Sequence, residues 1–196
     1  MDIIVKPFVG KDIDKYRLEL ARLRIEVFRE YPYLYDGTIA YEEEYLESVV
    51  QSEESLFVVA FDDGKVVGVS TGVPLLYEPF EVQKPWVEAG AELSEIYYFS
   101  ESVLSKAYRG LGVGVKFFEE REKHARQLGY KVATFCGVIR SDNHPNKPEE
   151  YKSLDSFWRK RGYHKKPGYT CLMSWKDINE IDASEKQLQF WDKKLD

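Results

Sequence analysis

Three glycines fall within five residues in Tyr108-Arg109-Gly110-Leu111-Gly112-Val113-Gly114, and that run limits what the chain around it can build. Glycine has no side chain to bury and loses the most backbone freedom on folding, so such a cluster offers bare main chain rather than packing. An apolar run ending Ser102-Val103-Leu104 precedes it, and a helix-like segment opens near Val115. A helix beginning there presents unpaired N–H groups and the positive end of its dipole, which together seat a phosphate. The plainer alternative is a structural turn between a strand and a helix.

Several folds place a glycine turn between a strand and a helix. The dinucleotide fingerprint G-x-G-x-x-G belongs at the first strand, with an acidic residue further on. Here Gly114 comes one residue early and the run lies past the midpoint of 196 residues. A P-loop, G-x-x-x-x-G-K-[ST], does not occur in the chain. The run resembles instead the pyrophosphate loop of the GNAT family of N-acetyltransferases, Q/R-x-x-G-x-G/A, with Arg109, Gly112 and Gly114 in its three fixed positions.

The order of predicted elements extends the resemblance. Residues 3–8 read as a strand, and from Asp12 the apolar residues Ile13, Tyr16, Leu20, Leu23 and Val27 take helical spacing, to stop before Pro32. An aromatic turn follows at 31–35, then a helix over 41–50 whose Glu42-Glu43-Glu44 read as a solvated start. Residues 56–61 and 65–73 form a hairpin through Asp62-Asp63-Gly64. The segment 74–93, with Pro74, Pro79 and Pro85, fits no period and reads as an irregular lid or a subunit contact, which leaves a homodimer open. A strand over 94–104 feeds the glycine run, a helix over 115–128 leaves it, and the nearly continuous apolar stretch 131–139 reads as its parallel partner strand. A short helix over 154–161 and a strand over 169–175 follow, and 187–195 is strand or helix.

Composition narrows the partners. A net charge of −6 and a pI near 5.3 argue against a nucleic acid or an anionic membrane surface. No basic leader with an apolar core and no apolar run of about 18 residues is present, so a cytoplasmic protein is expected. With 43% hydrophobic residues the chain is expected to fold as one domain over 1–196. Cys136 and Cys171 lie in apolar runs and read as free thiols, and neither they nor the histidines have metal spacing, so no metal is expected.

The resemblance implies an α/β fold: a GNAT-like mixed central sheet with helices on both faces and an acyl-CoA cleft between two splayed parallel strands. It implies acetyl-CoA as cosubstrate, with main-chain bonds from Val103 and Leu104 to pantetheine. The pyrophosphate falls to Arg109, Gly110, Leu111, Gly112, Val113 and Gly114, and Asn143 stands in for a displaced asparagine. It also implies transfer of the acetyl group to a primary amine of a small molecule or protein, within a ternary complex.

Such a reaction needs a base for the amine and benefits from an acid for the departing thiolate. Glu101, two residues before Val103 and near the bulge that the resemblance implies in this strand, is the preferred base, against the alternative of a strand glutamate facing solvent. The family's helix tyrosine, four residues before a glycine, is replaced by Trp158 ahead of Gly162, so Tyr151 is the substitute acid. Tyr31, Tyr33, Tyr35 and Glu95 are expected to line the acceptor. A second reading, kept because of Trp158, is a non-catalytic acyl-CoA sensor.

Overall fold

The computed structural model describes residues 2–196. Seven strands, β1 (Ile4–Val9), β2 (Leu56–Asp62), β3 (Lys65–Pro74), β4 (Ile96–Leu104), β5 (Val132–Val138), β6 (His164–Trp175) and β7 (Ser184–Lys194), form one sheet in the order β1-β2-β3-β4-β5-β7-β6. Five α-helices flank it: α1 (Arg17–Phe28), α2 (Ile39–Val49), α3 (Phe80–Glu88), α4 (Val113–Gln127) and α5 (Asp155–Lys160). Every neighbouring strand pair is antiparallel except β4 with β5.

Burial explains the layering. Phe57, Val59, Phe61 and Val69 pack with Leu20, Leu23 and Leu46 of α1 and α2 on one face, while Leu56, Val58 and Ala60 meet Val113 and Phe117 of α4 on the other. Alternate residues of β2 therefore serve opposite layers, as the two-residue strand period requires. The β2–β3 hairpin turns through Asp63 and Gly64, both at positive φ, as a two-residue hairpin demands. The tail resolves as a strand, β7, because Phe190 and Trp191 enter clusters on opposite sides of the sheet. Among the described residues, no helix is long and apolar enough to cross a membrane.

Two segments depart from the sequence expectation. The first helix opens as a 3-10 turn over Gly10–Tyr16, with Gly10 at φ +52°, before α1 takes over. The segment 74–93 is not irregular throughout, because it contains α3. Pro79 immediately precedes the helix, and Pro85 sits inside it at the expense of one internal hydrogen bond. Val82 and Trp86, one turn apart, bury against Leu75, Tyr98 and Phe190, and that packing sustains the helix.

The site depends on an interruption of β4. Thr71 of β3 faces Glu101, yet Val73 faces Tyr98, so β4 carries one extra residue in a bulge around Phe99 and Ser100. The parallel ladder to β5 covers only Ile96–Tyr98 against Val132–Thr134. Beyond it, β4 stays with β3 and β5 stays with β7, so the two parallel strands part.

Candidate functional site

The glycine loop lies at the open end of β4. A 3-10 turn over Lys106–Tyr108 leads to Gly110 and Gly112, both left-handed at φ +79° and +84°, and Gly112 is the N-cap of α4. A Cβ at either position would meet nothing within 4 Å, so the space outside the loop is open. The N–H groups of Gly110, Leu111, Gly112, Val113 and Gly114 have no main-chain partner, the last two because no helical turn precedes them. Gly114 serves packing as well: a Cβ there would stand 3.3 Å from Phe157 of α5.

Arg109 does not reach into this space. Its guanidinium forks onto Glu30 at 2.7 and 2.9 Å, and its Nε donates to the Leu104 carbonyl at 3.0 Å, tying the loop to the end of α1. The carbonyl expected to meet pantetheine at Leu104 thus already accepts a bond. Val103 is fully buried in the ladder opposite Val69.

Where β4 and β5 part, the face under α1 and α2 carries a charged cluster. Arg24 of α1 pairs with Glu101 on one side and Glu42 on the other, and all three are buried. Its guanidinium also lies 4.2 Å from the ring centre of Tyr45. Oε1 of Glu42 and Oε1 of Glu101 have no hydrogen-bond partner. Glu42 is therefore not part of a solvated helix start: it is 0% exposed, because the first turn of α2 faces Arg24. The expected base, Glu101, is held in an ion pair that its own strand gave no sign of.

A second carboxylate stands at the bulge itself. Ser100 donates its hydroxyl to Oε1 of Glu78 at 3.0 Å, and burial pushes the Glu78 carboxyl up to about 7, the serine bond pulling the other way. Tyr98 and Cys136 share a hydrogen bond of 2.9 Å next to it. Burial raises the Tyr98 hydroxyl well above its usual range, and contact with Cys171 together with burial does the same for the Cys136 thiol. On the opposite face, Arg121 donates to the carbonyls of Glu101 and Phe117 at 3.2 Å and of Thr71 at 3.4 Å, and stacks 4.2 Å from Phe99. Burial lowers its guanidinium to about 10, so it stays charged at neutral pH.

The aromatic turn closes this face. Arg140 donates to the carbonyls of Pro32 and Tyr33 and pairs with Asp177, while Trp175 donates to Tyr33 from β6. Tyr31 packs edge-on to Tyr151 at 4.6 Å and near His144 at 5.7 Å. Burial raises the Tyr151 and Tyr33 hydroxyls, and for Tyr35 burial and Glu42 act together. Tyr31 and Tyr151 thus come together, as do Tyr35 and Glu42. Glu95 does not join them: it pairs with Lys131 at the closed end of the β4–β5 ladder. Asn143 is exposed in the loop after β5, its N–H turned to the Ser141 hydroxyl. Trp158 lies over Gly137, where a Cβ would come within 2.8 Å, and against Phe135 and Trp191.

Sequence reasoning missed Glu78, Arg24, Glu42 and Arg140. The available signal for Glu78 was one carboxylate set between Leu75-Leu76-Tyr77 and Pro79, a polar residue in an apolar stretch. Among the described residues, no group of three or more His, Cys, Asp or Glu is arranged to hold a metal ion.

Comparison with known proteins comes to the same place. Residues 20–163 match the model of the acetyltransferase (GNAT) family. The fold is similar to that of a proposed acetyltransferase from Acinetobacter baylyi ADP1, at 15% identity and TM-score 0.64, covering 100% of this chain and 94% of that one. A ribosomal-protein-alanine N-acetyltransferase from Brucella melitensis aligns at 16% identity and TM-score 0.62 over 98% of this chain and 99% of its own. An N-acetyltransferase from Staphylococcus aureus Mu50 aligns at 14% and TM-score 0.59 over 100% of both chains. A sequence search of curated proteins returns no match.

Proposed function

The chain belongs to the acetyltransferase (GNAT) family, and from that premise we propose that it transfers an acetyl group from acetyl-CoA to a primary amine, both substrates being held in one complex without a covalent enzyme intermediate. Residues 1–196 act in this reading as one N-acetyltransferase domain. The observation that carries it is the junction of two features. Five unpartnered N–H groups at the start of α4 open onto free space, and β4 leads from them back to the place where it parts from β5.

The residues present fit acetyl-CoA. A diphosphate accepts hydrogen bonds from the loop N–H groups and gains from the helix dipole. Main chain freed where the two strands part suits the amides of pantetheine, and the thioester supplies the activated acetyl group. Tyr31, Tyr33, Tyr35 and Tyr151 wall the acceptor. Glu101, fixed by Arg24, adds negative charge that favours an ammonium group on that face. Tyr151, whose hydroxyl keeps its proton at neutral pH, is in this reading the acid that supplies one to the leaving sulfur.

Thermal unfolding with acetyl-CoA, followed by thiol release across a panel of small amines and N-terminal peptides, tests the reading. Ligand at 100 times its Kd adds about 2.7 kcal/mol of stability. No stabilisation overturns the proposal. Stabilisation without turnover on any amine favours the acyl-CoA sensor that Trp158, in place of the helix tyrosine, keeps in view.

A further inference from the structure

Glu78 reaches the bulge from the segment ahead of α3, and its hydrogen bond to Ser100 places it at the residue where β4 leaves β5. That segment is held in turn by Gln83 of α3, whose side-chain amide donates to the Glu78 carbonyl at 2.6 Å. Among the described residues none donates to Oε2 of Glu78 and no cation pairs with its carboxylate, and the residue is half-buried rather than enclosed. The groups facing it are Tyr45 from α2, Tyr98 and Ser100 from β4 and Cys136 from β5, all neutral at pH 7. Glu101, by contrast, is bound to Arg24.

We propose that Glu78 is the general base that takes the proton from the acceptor amine, an inference that rests on the N-acetyltransferase reading. One N–H proton of the acceptor ammonium passes to the Glu78 carboxylate. The freed lone pair forms the C–N bond at the thioester carbonyl and the C–S bond breaks. The sulfur departs with the proton of the Tyr151 hydroxyl, which is restored by the second proton that the nitrogen sheds, and Glu78 returns its own proton to water. A carboxyl near 7 is charged often enough to accept a proton and basic enough to draw one from an ammonium, which an ordinary carboxylate does poorly. The base therefore stands on the segment ahead of α3 rather than on the strand it touches.

The test is kcat/KM against pH by thiol release for wild type, Glu78→Gln, Glu78→Asp and Glu101→Gln, with acetyl-CoA affinity measured beside it. Wild type should rise tenfold per pH unit to an inflection near 7. Glu78→Gln should fall about 10²–10⁴-fold at pH 7 and lose the inflection, recovering only as the amine deprotonates in solution. Its acetyl-CoA affinity should match wild type and its melting temperature should not fall below it at pH 7, and Glu78→Asp should keep the inflection at partial rate. Without acetyl-CoA, the ¹³C carboxyl signal of Glu78 should titrate near 7. Glu78→Gln within threefold of wild type, its inflection intact, overturns Glu78 as the base while leaving transfer standing. Wild type that binds acetyl-CoA and releases no thiol with any amine overturns the transfer reading, and the role of Glu78 with it.

Discussion

Arg24 on α1 holds the carboxylate of Glu101 on β4 in a buried ion pair, and the same guanidinium reaches Glu42 on α2. One cation thus offsets two carboxylates that are 0% and 9% exposed. Removing one member of such a group leaves charge buried without compensation, which costs about 3–5 kcal/mol. Arg24→Leu should lower the stability measured by urea unfolding by that amount. Arg24→Lys should recover only part of it, since a single ammonium nitrogen cannot stand at the separate positions of the guanidinium nitrogens that meet Glu42 and Glu101. A loss below about 1 kcal/mol for Arg24→Leu would mean that the carboxylates find other partners.

The Glu78 carboxyl makes stability depend on pH. Its affinity for a proton is higher in the folded chain than in the unfolded one, so the folded state binds more protons between about 4.5 and about 7. The favourable contribution is fully present below about 4.5 and is lost as pH rises through about 7. Glu78→Gln cannot titrate, so it should gain on wild type by roughly 1–3 kcal/mol between pH 4 and pH 8. Urea unfolding of both proteins across that range measures it, and parallel curves would remove burial as the cause of the shift.

The fold was more legible in the sequence than the site, for physical reasons. A hairpin turn, a capped helix and a covered strand are set by near neighbours, so Asp63-Gly64, the start of α4 and β5 each announce themselves within a few residues. The residues 74–93 did not, since α3 is held by Trp86 and Val82 against distant strands while its prolines argue for a loop. Glycine clustering marked the loop because left-handed φ is a local demand. What surrounds Glu101 depends on Arg24 and Glu42, residues 77 and 59 positions away, and no period or spacing connects them. Likewise Ser100 meets Glu78 only because β4 bulges, a register detail that its own residues do not encode.

The loop also separates main chain from side chain. Gly112 stands at φ +84° with open space around its Cβ position, so Gly112→Ala meets backbone strain alone, about 1–2 kcal/mol. The N–H groups turn as the strain is relieved, and acetyl-CoA affinity should fall at least tenfold. Arg109 spends its guanidinium on Glu30 and the Leu104 carbonyl in an exposed setting, where an ion pair contributes about 1 kcal/mol or less. Arg109→Ala should therefore weaken binding less than Gly112→Ala does. Titration of acetyl-CoA against both variants decides this, and the reverse order would give the pyrophosphate to the arginine.

Arg121 is a buried charge on the packed face of α4 with no carboxylate partner among the described residues, and the bulge accounts for it. It is 2% exposed and donates to the carbonyls of Thr71 and Glu101 beside the broken ladder and to that of Phe117 in its own helix, while the Glu101 carbonyl also accepts from Ser70. Methionine can keep the contact with Phe99 and Phe118 through its sulfur but supplies no donor. A buried carbonyl left without a donor costs about 1–3 kcal/mol, and the carbonyls of Glu101 and Phe117 keep other donors, so Arg121→Met should destabilise the protein by about 1–3 kcal/mol. Arg121→Lys, which can reach one carbonyl at a time, should fall between. If the guanidinium also sets the course of β4 past the bulge, Arg121→Met should raise the KM for acetyl-CoA at temperatures where it is fully folded. An unchanged KM alongside the stability loss would confine Arg121 to holding the sheet together.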